Sequence, residues 1–204
     1  MAKKKTKSTS APKATKKSTK QPIKKTPSKR TPLVKGTIVE ERVLTENSDA
    51  ARAFHEKSAL GTIERNKIML TFIEAFYLMQ KEKLEIVDTR GNALSEEKVL
   101  RKARKQEPNF WIRFAVFRDL RDRGYIVKTA LKFGADFRVY GRGIKPGEDH
   151  AKWIVYPVHE GSTLTWHDFS AKNRVAHSTK KRLLIGIVDE ESDVTYYKIS
   201  WIRP

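Results

Sequence analysis

The sequence contains no cysteine, and it has no apolar run long enough to span a membrane. The absence of cysteine excludes disulfide bonds, thiol catalysis and zinc sites built from thiolates. A membrane-spanning helix needs about 20 consecutive apolar residues, and the N-terminus lacks the apolar core of a secretory signal. These absences favour an intracellular, cytoplasmic protein and disfavour a membrane protein.

Several motifs of familiar enzymes are also missing. The glycine-rich segment GADFRVYGRG has neither the spacing of a P-loop nor that of a dinucleotide-binding loop. No pair of histidines has the H-x-x-x-H spacing of a zinc-binding helix, and no serine elbow is present. We therefore predict a protein without a cofactor and without a metal site.

Positive charge, in contrast, is abundant. The chain has 43 Lys and Arg against 24 Asp and Glu, a net charge of +19. A cation of this size attracts polyanions such as nucleic acid, an acidic membrane surface or an acidic protein. Residues 1–36 hold 13 of the basic residues and no acidic one, with almost nothing apolar to bury, and we predict a disordered tail. The tail could bind RNA by counterion release, or it could only solubilise the chain.

The rest of the chain predicts an α+β fold, with a small N-terminal α/β domain over residues 37–108 and a C-terminal mixed-sheet α/β domain over residues 109–204. Apolar periodicity, turn residues and helix caps support this division. The predicted N-terminal elements are a strand over 36–44, a helix over 48–58, a strand turn and then an amphipathic helix within 68–79, a strand over 84–87, and a helix from Ser95 that ends before Pro108.

The C-terminal domain is predicted to contain two helices and five strands in about 95 residues. Asn109 is a fair N-cap for its first helix, and Gly124 suits the position after the last helical residue. The predicted helices cover 109–124 and 166–178, and the predicted strands cover 125–131, 136–140, 151–158, 181–190 and 194–202.

Three polar residues mark the ends of these predicted strands. Tyr140 ends one strand, and His150 and Lys181 open two others. Strand ends can converge on one sheet edge, where sites are commonly built. Cleavage of RNA uses its own 2′-hydroxyl, so the protein needs a proton acceptor, a proton donor and a cation. Histidine suits the donor role because its unperturbed pKa is about 6.5. Spacing alone does not distinguish such a site from a surface His, a packed Tyr and a solvated Lys.

Three longer segments of the C-terminal half resemble a known protein family, which is information that the spacing of single residues does not give. These segments are GYIVKTALKFGADFRVYGRG, EDHAKWIVYPV and RVAHSTKKRLLIGIVDEESDVTYYKI. They closely resemble the C-terminal catalytic domain of archaeal tRNA-splicing endonucleases, and GTIERNKIMLTFIEAFYLMQKEKLEI at 61–86 is similar to the N-terminal domain of that family. The resemblance implies that Tyr140, His150 and Lys181 are catalytic. Lys180 is adjacent to Lys181, and since successive strand residues point to opposite faces, only one of the two can reach the site.

The resemblance also implies a reaction. It implies cleavage of precursor tRNA at both intron boundaries, in a bulge-helix-bulge structure, without metal and with 2′,3′-cyclic phosphate and 5′-hydroxyl ends. Tyr140 is expected to be the general base, His150 to protonate the leaving oxygen, and Lys181 to stabilise the phosphorane. A free tyrosine has a pKa of about 10, so the base role requires a tuned hydroxyl, or else the tyrosine only orients the nucleophile.

Residues for RNA binding and assembly follow from the same resemblance. Arg174 matches an arginine that helps to sandwich a bulged base, and Trp201 or Arg203 is a looser match for its partner; packing in the last strand is the alternative for Trp201. An acidic run that is ordinarily a solvated turn corresponds to a loop that docks into a neighbouring subunit, and the implied assembly is a homotetramer or a heterotetramer. The run consists of Asp189, Glu190, Glu191 and Asp193.

Two other functions remain open at this stage. The chain could be a non-catalytic basic RNA-binding protein, or a catalytic subunit that requires a separate structural subunit. An inactive structural subunit is disfavoured, because neither it nor a pure RNA-binding protein needs a complete set of Tyr140, His150 and Lys181.

Overall fold

The computed structural model describes residues 33–130, 134–200 and 202. These residues form one compact unit that contains two five-stranded sheets. The predicted α+β class, with an N-terminal and a C-terminal sheet domain, is confirmed, whereas the predicted tail lies almost wholly outside the described residues. Among the described residues, no helix is both long enough and apolar enough to cross a membrane.

The N-terminal sheet has the strand order β3-β4-β2-β1-β5, with β1 and β5 parallel and the other neighbours antiparallel. Its helices begin at polar caps, since Ser48, Thr71 and Ser95 each accept a hydrogen bond from the first turn. The elements are β1 Val34–Val39, β2 Arg42–Thr45, α1 Asp49–Ser58, β3 Thr62–Glu64, β4 Lys67–Thr71, α2 Phe72–Gln80, β5 Leu84–Val87 and α3 Glu96–Gln106.

The strand predicted over residues 36–44 was wrong in two respects. It is a hairpin of β1 and β2, which turns at Glu40, where the backbone φ is 52°. The hairpin also begins earlier, because Val34 is buried and pairs with Leu84 in β5. Ordered structure therefore extends into residues 34–36, which the charge pattern had assigned to the tail.

The C-terminal sheet has the strand order β10-β9-β8-β7-β6, and only the β8–β9 pair is parallel. A parallel pair requires a crossover connection, which α5 provides here. The elements are α4 Phe110–Asp122, β6 Tyr125–Ala130, β7 Ala135–Arg142, β8 Trp153–His159, α5 Trp166–Ser178, β9 Arg182–Val188 and β10 Val194–Ile199. The prediction of two helices and five strands is confirmed for this domain.

The two faces of the C-terminal sheet are covered differently. Helix α4 packs its aromatic residues on one face, against Phe137 and Val155, and this core continues into the N-terminal domain through Phe76. Helix α5 covers part of the other face, where Ala176 packs in one cluster with Ile154 and other strand residues. The sequence-predicted site lies at one edge of this second face.

Candidate active site

The strand register brings the three predicted site residues to one edge of the C-terminal sheet. The Lys152 N–H donates to the carbonyl of Val139 at 2.8 Å, and the Lys152 carbonyl accepts from the Arg182 N–H at 3.1 Å. Because β7 runs antiparallel to β8 and β9 runs parallel to it, β7 ends where β8 and β9 begin. Tyr140 near the end of β7, His150 before β8 and Lys181 before β9 therefore share this edge.

Tyr140 is held by packing. Its side chain is 5% exposed and belongs to a buried cluster with Ala59, Ile126 and Ala151. Ile126 is its cross-strand partner in β6, and the guanidinium of Arg138 lies 5.9 Å from the centre of its ring. These contacts restrain the phenol ring, which limits the positions that its hydroxyl can take.

His150 is exposed, in contrast to Tyr140. It lies in the loop between β7 and β8, where its backbone N–H donates to the carboxylate of Asp149 at 2.7 Å. Gly143 and Gly147 in this loop have φ values of +72° and +101°, which favour glycine. The loop thus returns the chain toward Tyr140 and leaves the imidazole of His150 accessible to a large substrate.

Lys180 and Lys181 occupy a turn, and this corrects the prediction that Lys181 opens a strand. Strand β9 begins at Arg182, so strand alternation does not decide between the two lysines. Lys180 has a left-handed φ of 55°, and the N–H of Lys181 donates to the carbonyl of Ala176 at 2.8 Å. The Lys181 ammonium donates to the carbonyl of Thr179 at 2.9 Å, which holds this side chain at the end of α5.

A cavity of about 190 Å³ adjoins Lys181. Its wall includes His177 on α5 and Leu183 in β9, while Lys180 does not contribute to it. Lys181 therefore lines this cavity and Lys180 does not, while the choice of Lys181 over Lys180 as the catalytic lysine stays a prediction. The cavity also brings His177 close to Lys181, which sequence analysis did not anticipate because a histidine late in a helix gives no signal of its own.

Helix α5 presents the predicted RNA-binding residue Arg174 to solvent. Trp201, the second predicted RNA-binding residue, lies outside the described residues. At the other end of α5, Trp166 is 84% exposed and meets Phe169 edge-on. The exposure of this tryptophan was not predicted, and a single exposed aromatic side chain does not by itself mark a contact surface.

The acidic run forms the turn between β9 and β10. Trp111 braces this turn by donating from its indole N–H to the Ser192 hydroxyl at 2.8 Å, and Asp189 accepts from the Asp193 N–H at 2.8 Å. The Glu190 carboxylate lies 3.5 Å from His159, and Glu191 is exposed. The turn is thus rigidly supported while it presents negative charge to solvent.

Partly buried positive charge lies on the same sheet face as Tyr140. Lys128 and Arg138 are cross-strand partners, and the Lys128 ammonium donates to the carbonyl of Gly61 at 2.9 Å and lies 3.5 Å from the Glu74 carboxylate. Burial lowers the pKa of Lys128, and Glu74 partly offsets this shift. Local periodicity could not predict this network, since Gly61 and Glu74 belong to the other domain.

Metal ligands are not grouped at this edge. Within the described parts of the chain, no three His, Asp or Glu side chains lie close enough together to hold a metal ion. The predicted lack of a metal requirement is a statement about the reaction, and it stays a prediction.

Comparison with known proteins identifies the class. Residues 34–100 match the N-terminal domain of tRNA intron endonucleases, and residues 110–196 match the catalytic C-terminal domain of the same enzymes. Both sheets, including the edge that carries Tyr140, His150 and Lys181, therefore correspond to parts of an RNA-processing nuclease. The chain belongs to the tRNA intron endonuclease family.

Individual relatives agree with this assignment. The chain is 40% identical to the tRNA-splicing endonuclease of Thermococcus onnurineus over 163 residues, which is 80% of this chain and 93% of the relative. It is 40% identical to the tRNA-splicing endonuclease of Methanothermobacter thermautotrophicus over 171 residues, 84% of this chain and 99% of the relative. For that of Nanoarchaeum equitans, the identity is 43% over 156 residues, 71% of this chain and 99% of the relative.

Proposed function

We propose that this protein is a tRNA-splicing endonuclease that cleaves precursor tRNA at both intron boundaries, in bulge-helix-bulge RNA. Family membership supports the substrate class. The proposed reaction is supported by one observation. Tyr140, His150 and Lys181 lie at one sheet edge because of the register of β7, β8 and β9.

The proposed reaction is an internal transesterification. The 2′-hydroxyl oxygen attacks the adjacent phosphorus and loses its proton, either to Tyr140 or, if Tyr140 only orients the nucleophile, to water. The bond from phosphorus to the 5′ oxygen breaks, and His150 donates a proton to that oxygen. The products are a 2′,3′-cyclic phosphate and a 5′-hydroxyl. One proton has left the 2′-hydroxyl, and one has been added to the 5′ oxygen.

The cation of the proposed mechanism is Lys181. The charge that develops on the phosphorane oxygens is stabilised by a positive group that is already in place before the reaction. The hydrogen bond from the Lys181 ammonium to the Thr179 carbonyl supports such an arrangement.

Substrate binding is assigned to Arg174 and Trp201. Bases in a bulge are unstacked, and flat guanidinium or aromatic groups can hold them by stacking. The exposure of Arg174 on α5 supports this role, whereas the role of Trp201 follows from the resemblance alone. Arg174→Ala should raise KM for precursor tRNA more than it lowers kcat, and an unchanged KM would exclude Arg174 from base binding.

The proposed assembly is a tetramer, either of identical subunits or with a separate structural subunit. Strand β10 lies at the edge of its sheet, and Tyr197 on it is 56% exposed, so its backbone and side chains are available to a second copy. The braced acidic turn supports a second contact through Asp189, Glu190, Glu191 and Asp193. Native mass spectrometry of the wild type and of a Glu190→Lys/Glu191→Lys variant tests this, and an unchanged assembly would exclude the turn as an interface.

The decisive experiment is incubation of the purified chain alone with an intron-containing precursor tRNA in EDTA. We expect the intron and both exons, with cyclic phosphate ends, and no product from a triple variant that lacks Tyr140, His150 and Lys181 side chains. Binding without cleavage would favour a non-catalytic RNA-binding protein or the need for another subunit. Activity that EDTA abolishes and Mg²⁺ restores would contradict the metal-free mechanism.

A further inference from the structure

Ala59 adopts a backbone conformation that normally favours glycine. It ends helix α1 with φ 50° and ψ 33°, and its N–H donates to the carbonyl of His55 at 2.8 Å. The left-handed region brings a Cβ atom too close to the following carbonyl, which is why glycine predominates at this helix position. An alanine here keeps a methyl group despite an unfavourable conformation.

The methyl group of Ala59 lies in the cluster that contains the proposed catalytic tyrosine. Ala59 is 5% exposed, and the other members of this cluster are Tyr140, Ile126 and Ala151. Those three residues belong to the C-terminal domain, so Ala59 is the residue that the N-terminal domain contributes to this cluster. A glycine at position 59 would leave the volume of the methyl group in this cluster unfilled.

The C-terminal domain holds the chain on both sides of Ala59. On one side, the Arg121 guanidinium donates to the carbonyl of Ser58 at 2.7 Å. On the other side, the Lys128 ammonium donates to the carbonyl of Gly61 at 2.9 Å. These two charged groups span the domains and fix the ends of the Ser58–Gly61 segment, so the position of its methyl group is set from the catalytic side.

The N-terminal domain holds the same segment from behind. The Gly61 N–H donates to the Glu74 carboxylate at 3.0 Å, and Glu74 also accepts from Thr71 in the cap of α2. Gly61 has no room for a side chain, since a Cβ would lie 2.6 Å from Ile68 and 2.7 Å from the Met69 carbonyl. The segment therefore has little freedom to move away from Tyr140.

We infer that Ala59 is a positioning residue for Tyr140: its methyl group, presented by the clamped Ser58–Gly61 segment, holds the phenol ring in the orientation that the reaction requires. The inference rests on the proposed function, because it gives Tyr140 a role in cleavage. Unfavourable backbone conformations persist where the surrounding structure enforces them, and they cluster at functional sites. Here the N-terminal domain acts on the reaction through a buried side chain.

The substitution Ala59→Gly tests this inference without a loss of fold. Glycine accepts φ 50° more readily than alanine, so the melting temperature should stay the same or rise. Loss of the methyl group should lower kcat on the order of tenfold, since small misplacements of reacting groups reduce rates strongly. KM for precursor tRNA should not change, because Ala59 is buried. A merely structural alanine would show no such fall in kcat.

The matched control is Asn66→Gly. Asn66 has φ 65° and lies in the exposed turn between β3 and β4, away from Tyr140, and its replacement also leaves the charge unchanged. We expect this variant to gain or keep stability and to cleave at the wild-type rate. The pair of glycine substitutions therefore separates relief of backbone strain from loss of the buried methyl group.

Tyr140→Phe separates failure of the inference from failure of the proposed function. We expect Tyr140→Phe to be slow, and Ala59→Gly to add no further loss in that background. If Tyr140→Phe is slow while Ala59→Gly cleaves at the wild-type rate, or shows only a raised KM, the positioning role is overturned and the proposed function stands. If Tyr140→Phe cleaves at the wild-type rate, the role of Tyr140 in the proposed function fails, and the positioning role fails with it.

Discussion

The two faces of the C-terminal sheet differ in how they are covered and in what they bury. The face under α4 is mainly apolar, and there Phe117 of α4 packs 5.9 Å from Phe137 of β7 between ring centres. The other face is covered only in part, by α5 and by the Ser58–Gly61 segment. It buries Tyr140 beside two cationic side chains, Lys128 and Arg138, with Glu74 as the ion-pair partner of Lys128.

This difference indicates that the two faces of the sheet have different roles, one in stability and one in the site. Close packing of apolar side chains stabilises a fold at little risk, whereas buried charge costs free energy unless it is paired. We infer that the α4 face supplies most of the stability, and that the Tyr140 face trades stability for a positively charged site.

The largest expected effect on the Tyr140 side comes from His150→Ala. Loss of a general acid typically costs about 10²–10⁴ in rate, and because His150 is exposed, its loss should leave the melting temperature unchanged. Single-turnover cleavage and thermal unfolding measure the two quantities. The exposed His167 on α5 gives the matched control, and His167→Ala should cleave at the wild-type rate.

A modified substrate sharpens this test of His150. A leaving group with sulfur in place of the 5′ bridging oxygen needs no protonation, so it should restore the rate of His150→Ala. A wild-type rate in His150→Ala on ordinary RNA would contradict the acid role. Rescue of Tyr140→Phe in place of His150→Ala would mean that the two roles are exchanged.

On the α4 face, the matching prediction is a loss of stability. Phe114 is fully buried, and Phe→Ala substitutions in cores typically cost about 3–5 kcal/mol. Phe114→Ala should therefore lower the free energy of unfolding by about this amount, as measured by urea denaturation, while any folded fraction cleaves with normal kcat. Equal stability losses for Phe114→Ala and Tyr140→Phe would contradict the proposed division between the two faces.

Sequence patterns predicted the elements of both domains better than their details. Helix α3 follows Ser95 as its cap residue predicted, because caps and periodicity are local. The β1–β2 hairpin was missed, since its turn at Glu40 contains no glycine or asparagine to mark a left-handed backbone. The same limit affected Lys180, whose left-handed φ replaced the expected strand start.

The candidate site was predictable in its residues but not in its surroundings. Tyr140, His150 and Lys181 follow from resemblance and from predicted strand ends. The Ser58–Gly61 segment, Lys128 and Glu74 depend on contacts between two domains, and no local pattern in the sequence encodes such pairing. The proposed positioning role of Ala59 depends on these non-local contacts.

A smaller effect is expected from removal of the basic tail. Deletion of residues 1–30 removes 12 Lys or Arg, so RNA affinity should fall, most visibly at low salt, and its dependence on salt should weaken. The kcat at saturating RNA and the melting temperature should not change. Deletion of residues 1–36 is the contrasting variant, since it also removes Val34 from β1 and should lower the melting temperature.

The smallest expected effect concerns the contact between α2 and α4. The Tyr77 hydroxyl donates to Asp122 at 2.9 Å, and burial, together with this bond, raises the pKa of Tyr77 to about 12. The unfolded value is near 10, so the contribution of this group to stability is present below about pH 10 and is lost as the pH rises through about 12. The effect is small because both side chains are partly solvated.

Tyr77→Phe tests this contribution. The variant keeps the ring contact with Phe117, at 5.7 Å between centres, and should reduce the fall in unfolding free energy between pH 9 and pH 12, as measured by urea denaturation. Tyr196 also has a raised pKa, through burial and its bond to Asp119, so the difference between wild type and Tyr77→Phe is the informative quantity. Identical pH dependence in the two proteins would show that the hydroxyl of Tyr77 does not stabilise the contact between α2 and α4.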